Sequence, residues 1–371
     1  MMPLCIISNL SLKRCNARVL TLCGRQDGKP DILRGYRSGV PSLCLKSCHF
    51  RTEPAASLIM TLFQLRQSIL LLITATIWGA TFIAQSLGMD NVDPFTFTAG
   101  RMFFGVAFLL PIVLVLRARL KQYHSAEATR RSAPEYKRNL LIGSLLCGLC
   151  LFGGESLQQF GLFNDAEVGK AGFITSLYIV IVPLLGLFVG KRLTPTLIIA
   201  VILSVFGLWY LCVPPGGFHV ELGDSLIAMC ALVFSFHIMV ISHFVQKVNG
   251  IELAVGQFSV GGLLGFISML IFGAPTWAGF VAALPAILWA GVMSNGIAYT
   301  LQIVGQRGMN DTIASLIMSL ESVVAVICGW LILDEALSSR ELFGCLLMGG
   351  AVVLAQIPFS SIAGLFKRKR A

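Results

Sequence analysis

Glu321 stands near the middle of the run 312–333, which carries no other charge. A charge at bilayer depth costs about 2.5–3.5 kcal/mol on insertion scales, so it needs a reason. Either it binds a proton or a solute amine, or it is a structural carboxylate bonded to a neighbouring helix. Glu155, Gln158 and Gln159 are spaced i, i+3, i+4 and share one helix face. They can bind a solute or bond helix to helix. Arg101 lies about two turns from the outer end of its run. It either snorkels to water or serves as counter-ion to Glu155 or to an anionic solute group. Lys170 sits at the mouth of the run that follows Glu155, as an interfacial anchor or as part of the same cluster. Asn295, Tyr299 and Gln302 fall at i, i+4, i+7, a polar stripe that should face a bundle interior. His237 and Gln257 are lone polar groups in apolar runs, suited to packing or to a site. Trp78 and Tyr178 line a cavity or fill the core. Pro183 frees the carbonyl of Ile179 and marks a candidate hinge.

The elements that must hold these residues are long and apolar. The 371-residue chain is 56% hydrophobic and 12% charged, with a mean hydropathy of +0.81. Soluble domains carry about 25% charge, so this is an integral membrane protein. Ten apolar runs follow Ser68, at about 68–87, 95–116, 140–161, 171–190, 195–213, 223–244, 253–272, 283–303, 312–333 and 342–360. Barrel strands would be about ten residues long and alternating, so these runs predict transmembrane helices. Ala171–Gly190 alone spans about 30 Å as a helix, the thickness of a hydrocarbon core.

The +10 net charge is not a nucleic-acid footprint, because the Lys and Arg fall between apolar runs, where they set orientation. Seven lie in Arg117–Arg138, followed by Lys191, Arg192, Lys247, Arg307 and four more in Lys367–Arg370. The opposite connections hold only Lys170 and Arg340, beside acids such as Asp90, Asp93, Glu221 and Glu335. Both termini are therefore expected in the cytoplasm. No glycine-rich phosphate loop, HExxH or GxSxG appears, and there are five histidines. No catalytic residue, cofactor or metal is expected, and the chain does not read as an enzyme. Cys44–His49 only loosely resembles a metal or haem motif.

Residues 1–59 differ from the rest, with nine Lys/Arg and five of the eleven Cys. They are expected to be a disordered extension, or to precede a true start at Met60. The remaining six Cys lie in apolar runs and are expected as packing residues without disulfides.

An internal repeat organises residues 60–360. Asn164-Asp165 opens the fourth run and Asn310-Asp311 the ninth. The two are five helices apart, so the halves must run in opposite directions. The expected fold is all-α, with ten transmembrane helices as two inverted five-helix repeats, 60–213 and 214–360, and a basic tail, 361–371. Ala75/Gly79, Gly172/Ser176, Gly186/Gly190 and Gly261/Gly265 are small-residue pairs that let helices approach.

These residues resemble the drug/metabolite transporter superfamily, in its EamA-type ten-helix branch. The resemblance covers about Leu65–Gln356 and rests on Trp78–Phe82, Arg101, Leu157–Leu162, Lys170–Ile174, Leu177–Pro183, His237, Gln257, Ala298-Tyr299, Gln306, Leu320-Glu321 and Glu335. It implies an alternating-access carrier of the cell inner membrane. The cargo would be a small metabolite such as an amino acid, or a drug-like solute, exported or imported without ATP. Protons are a candidate coupling ion, and a monomer or homodimer is expected. Where the family often has Pro after the ninth-helix Glu, Ser322 stands here, so a straighter helix is expected at that point. The alternatives are a non-transporting membrane protein (sensor, scramblase or assembly subunit) and a uniport channel.

Overall fold

A computed structural model describes residues 53–122, 126–164, 166, 168–213, 221–332 and 338–356. The expectations for Cys44–His49, for most of the N-terminal extension and for the basic tail lie outside the described residues. The described elements are all helical. The first half contains α1 (Glu53–Met89), α2 (Pro94–Gln122), a short α3 (Ala126–Ser132), α4 (Pro134–Phe163), α5 (Val168–Thr175), α6 (Tyr178–Phe188) and α7 (Pro195–Cys212). The second half contains α8 (Leu222–Phe244), α9 (Gly250–Phe272), α10 (Trp277–Leu288), a π-helical segment (Trp289–Tyr299), α11 (Thr300–Gln306), α12 (Asp311–Met318), α13 (Glu321–Ile332) and α14 (Ser339–Ala355).

Eight stretches are long and apolar enough to cross a membrane: Leu62–Met89, Pro94–Gln122, Pro134–Phe163, Val168–Phe188, Leu222–Phe244, Gly250–Phe272, Trp277–Gln306 and Asp311–Cys328. The expected fifth run is a shorter apolar helix, Pro195–Leu211. The tenth is α14, which is 17 residues long. Large apolar side chains such as Phe188, Ile271 and Leu346 are exposed on the outer surface. Water would not tolerate such a belt, whereas lipid does.

Packing reflects the repeat. α2 lies along α9, α7 along α14, and α6 against α12. α2 and α9, and α7 and α14, hold equivalent positions in the two halves, while α6 against α12 is matched by α5 against α13, as a pseudo-two-fold relation requires. Glycines allow the close crossings. A Cβ on Gly79 would stand 2.6 Å from the Glu321 carbonyl oxygen, and one on Gly148 2.6 Å from Val260 Cβ. Of the small-residue pairs, Gly261 and Gly265 meet Met102 and Ala99 of α2, and Gly172 faces Ser322. Gly186 meets only Lys191 of its own turn, so that pair does not join two helices.

Two spans are broken. The fourth is interrupted at Ser176-Leu177, upstream of Pro183, where i→i−3 bonds run from Leu177 N to Ile174 O and from Ile179 N to Ser176 O. Pro183 lies inside α6 and is not the break. The ninth is interrupted at Ser319-Leu320, which corrects the expectation of a straighter helix there. The physical reason is local. Ser315 and Ser319 hydroxyls donate to the carbonyls of Thr312 and Leu316, three residues back, and compete with the helix ladder. Each break follows an eight-residue helix, α5 or α12.

Candidate functional site

The two breaks meet at the centre of the bundle. Tyr178, the first residue of α6, donates its hydroxyl to Glu321 Oε1 at 2.9 Å. Ser176 Oγ lies 2.7 Å from Ser322 Oγ, and Ser322 Oγ in turn donates to the Gly172 carbonyl at 2.9 Å. Breaking a helix loosens its backbone ladder, and here Ser322 of the other half gives the Gly172 carbonyl a second donor beside Ser176 N. Glu321 opens α13 and is buried, with 3% of its surface exposed. It makes no ion pair among the described residues.

A second buried cluster surrounds Arg101, which does not snorkel. Its Nε lies 3.4 Å from Glu155 Oε2, and both side chains are essentially fully buried. Its Nε also donates to Asn295 Oδ1 at 3.2 Å and its Nη2 to Ser294 Oγ at 2.9 Å. The π-helical segment carries both Ser294 and Asn295. Its wider turn alters the spacing expected of an α-helix, yet Asn295, Tyr299 and Gln302 still all face inward and are buried.

Between these clusters lies a cavity of about 30 Å³. Its walls include Trp78, Phe82 and Gln85 of α1, Arg101 of α2, Gln158 of α4, and Thr175 and Tyr178 at the first break. The second half contributes Phe234, His237 and Ile238 of α8, Ser294, Tyr299, Gln302 and Glu321. A space of this size holds about two waters. The Trp78 and Tyr299 rings pack at 4.7 Å, tilted by 58°, and the His237 ring meets Tyr299 edge-on at 5.9 Å. Arg101 Nη1, Trp78 Nε1 and Gln302 Oε1 are buried without a hydrogen-bond partner. Such atoms are rare in folded proteins, and each calls for a partner such as an ordered water.

The remaining candidates stand behind this wall or away from it. Gln257 Oε1 holds His237 Nε2 at 3.0 Å, while Glu155 and Asn295 hold Arg101. Gln158, itself in the wall, accepts from Gln85 Nε2 at 2.8 Å and donates to Thr175 Oγ1 at 3.2 Å. Gln159 points instead to Met89 Sδ, 3.2 Å away. Lys170 is not in the wall and pairs with Asp224 at 2.6 Å. Sequence reasoning missed Gln85, Ser294 and Thr175. Gln85 had a signal, since Trp78, Phe82 and Gln85 fall at i, i+4, i+7 on one face of α1. Ser294 and Thr175 had none, because small hydroxyl residues are common in packed membrane helices.

Ion pairs join the halves at both ends of the fourth span. At one end, Lys170 reaches Asp224. At the other, Lys191 pairs with Asp311. Gly190, at φ +78°, turns the chain after α6 and positions Lys191. Near the Lys191 end, Gln67 Nε2 donates to the carbonyls of Val304 and Arg307 at 2.9 and 2.8 Å.

A multi-pass helical bundle with a polar cavity between two repeats is an architecture that membrane transporters use. The chain belongs to the EamA-like transporter family, whose description matches residues 51–213 and 221–356. It is 28% identical over 291 residues to an uncharacterized transporter of Archaeoglobus fulgidus, covering 77% of this chain and 84% of that one. It is 22% identical over 292 residues to the uncharacterized transporter YoaV of Bacillus subtilis, covering 76% and 94%. A solved crystal structure shares the fold with a TM-score of 0.63 at 20% identity, covering 78% of this chain and 96% of that one.

Proposed function

We propose that the protein is a secondary carrier of a small polar or amphipathic metabolite, working by alternating access with protons as coupling ion. The halves 60–213 and 214–360 are the moving bodies, and the cavity between them is the binding site. The observation that carries this reading is Glu321: a buried carboxylate without a counter-ion among the described residues, at the meeting point of two broken helices. A proton or a solute amine is what such a group takes up, because an isolated buried charge is costly. Arg101, with Nη1 unpartnered at the cavity, receives a carboxylate or another acceptor. Glu155, Asn295 and Gln257 position the residues that face the cavity.

A cavity of about 30 Å³ is too small for a metabolite, so the described form reads as occluded, latched by Lys170–Asp224 at one end and Lys191–Asp311 at the other. Opening one latch while the other stays shut gives access from one side. The asymmetry of basic residues supports an inner-membrane protein with both termini in the cytoplasm. The test is counterflow in proteoliposomes preloaded with a metabolite panel. A carrier accelerates labelled uptake when its own substrate is inside; a channel, sensor or scramblase gives no such trans-stimulation.

A further inference from the structure

A second site lies far from the central cavity, where α2 ends and α4 begins. A pocket of about 700 Å³ is bounded by the end of α2, the short α3 and the first turns of α4. Its charged residues are Arg117, Lys121, Arg131 and Lys137. The carboxylates that reach these cations are Glu252 and Glu127. Buried Glu252 accepts from Arg117 at 2.9 Å, from Arg131 at 2.8 Å and from the Tyr136 hydroxyl at 2.7 Å. Glu127 accepts from Arg131 at 2.9 Å and is shared with Arg130. Lys121 and Lys137 make no ion pair among the described residues. The pocket is therefore net positive, and Glu252 fixes the two guanidinium groups at its edge.

The same pocket is continuous with a second, apolar one. A groove of about 400 Å³ runs on between α2, α4 and α9, and shares Leu114, Arg117, Lys137 and Leu140 with the basic pocket. Its other walls include Val113, Leu141, Val255 and Val260, all on membrane-spanning helices. A cationic mouth at the membrane face thus opens into an apolar channel along the bilayer side of the protein. Free phosphate would use only the mouth. A peptide or nucleic acid would have no use for a groove directed into the hydrocarbon.

We infer that this composite groove binds an anionic phospholipid of the adjacent leaflet. Its phosphate lies among Arg117, Lys121, Arg131 and Lys137, and an acyl chain lies against Leu114, Leu140 and the valines beyond. Basic pockets between membrane helices on the positively charged side suit such headgroups. Bound there, the lipid ties α2 to α4 within the first half and borders α9 of the second. The inference does not depend on which solute is carried, and a failed counterflow experiment would leave it standing.

The test is native mass spectrometry of the full chain, titrated with phosphatidylglycerol or with phosphatidylcholine of the same acyl chains. Separate arms use glycerol 3-phosphate and inorganic phosphate. Phosphatidylglycerol should be retained at a roughly tenfold lower concentration than phosphatidylcholine, with neither free phosphate retained. K121Q/K137Q should abolish that preference. Both side chains are exposed, so the fold is kept. R119Q/R138Q removes the same charge from exposed positions of α2 and α4 outside the pocket, and should preserve the preference. Equal retention of the two lipids would overturn the inference. So would equal loss in both double variants, which means diffuse charge attraction only, or retention of free phosphate with displacement of the lipid.

Discussion

Replacing Glu321 by Gln separates coupling from folding. The amide keeps the side chain's shape and keeps Oε1 as an acceptor for the Tyr178 hydroxyl, now 2.9 Å away. It cannot give up and take back a proton at any working pH. A gradient of one pH unit supplies about 1.4 kcal/mol per proton, so one-to-one coupling concentrates solute about tenfold. In proteoliposomes with that gradient, the native protein should reach a ratio of about ten, and E321Q a ratio of about one. Exchange of internal for external solute should persist in E321Q, because the cavity walls are unchanged. A Tyr178→Phe control removes a hydrogen bond to the carboxylate, worth about 1.5–3 kcal/mol, while leaving Glu321 itself. It should lower the melting temperature and keep the gradient-driven accumulation. Undiminished accumulation by E321Q would refute Glu321 as the coupling group.

Other substitutions probe the rest of the account. Arg101→Gln strands Glu155 in the protein interior, a loss of about 3–5 kcal/mol, and should sharply lower the melting temperature in detergent. The double variant R101Q/E155Q should recover much of that loss, since it removes both charges. Gly79→Ala places a methyl 2.6 Å from the Glu321 carbonyl oxygen and from Val324 Cβ, and should cost about 1–3 kcal/mol in the same melts. Outside the membrane, Arg130 and Arg131 beside Glu127 hold its carboxyl down at about 2, from an ordinary value of 4.5. The folded state there has the lower value, so the stabilisation is complete above about 4.5 and is lost as pH falls towards about 2. The protection of residues 126–132 against hydrogen exchange, with the intrinsic pH dependence of amide exchange divided out, should therefore hold from neutrality to about pH 4.5 and fall below it.

The membrane-spanning runs were legible because hydrocarbon demands continuous apolar helices, and each buried charge stood out against them. Arg101, Glu155 and Glu321 were conspicuous for that reason. Their partners were less so. Glu155 is an evident mate for Arg101, but Ser294 is an ordinary small residue in a distant span. The interruption of the fourth span was expected at Pro183, the loudest breaker in its run, and none was expected in the ninth. The observed interruptions instead follow Thr175 and Met318, where side-chain hydroxyls and contacts with the other half decide the backbone. The π-helical segment, which packs against α2, has no sequence signature. Lys170 and Lys191 read as membrane anchors, and their acidic mates lie 54 and 120 residues away. Nothing short of the fold brings them together. The short α3 was hidden inside a charged connection, where a helix of seven residues leaves little periodic trace.

Spin-label distances across the two ends test the central claim most directly. One pair, at Gly169 and Ser225, reports the Lys170–Asp224 end; a second, at Arg192 and Arg307, reports the Lys191–Asp311 end. A Cβ at Gly169 meets nothing within 4 Å, and the other three positions are exposed. Pulsed electron paramagnetic resonance on the protein in nanodiscs, with and without a solute that gives counterflow, should resolve populations in which one distance lengthens while the other stays short. Distances that lengthen together, or that never change, would contradict alternating access between two rocking halves.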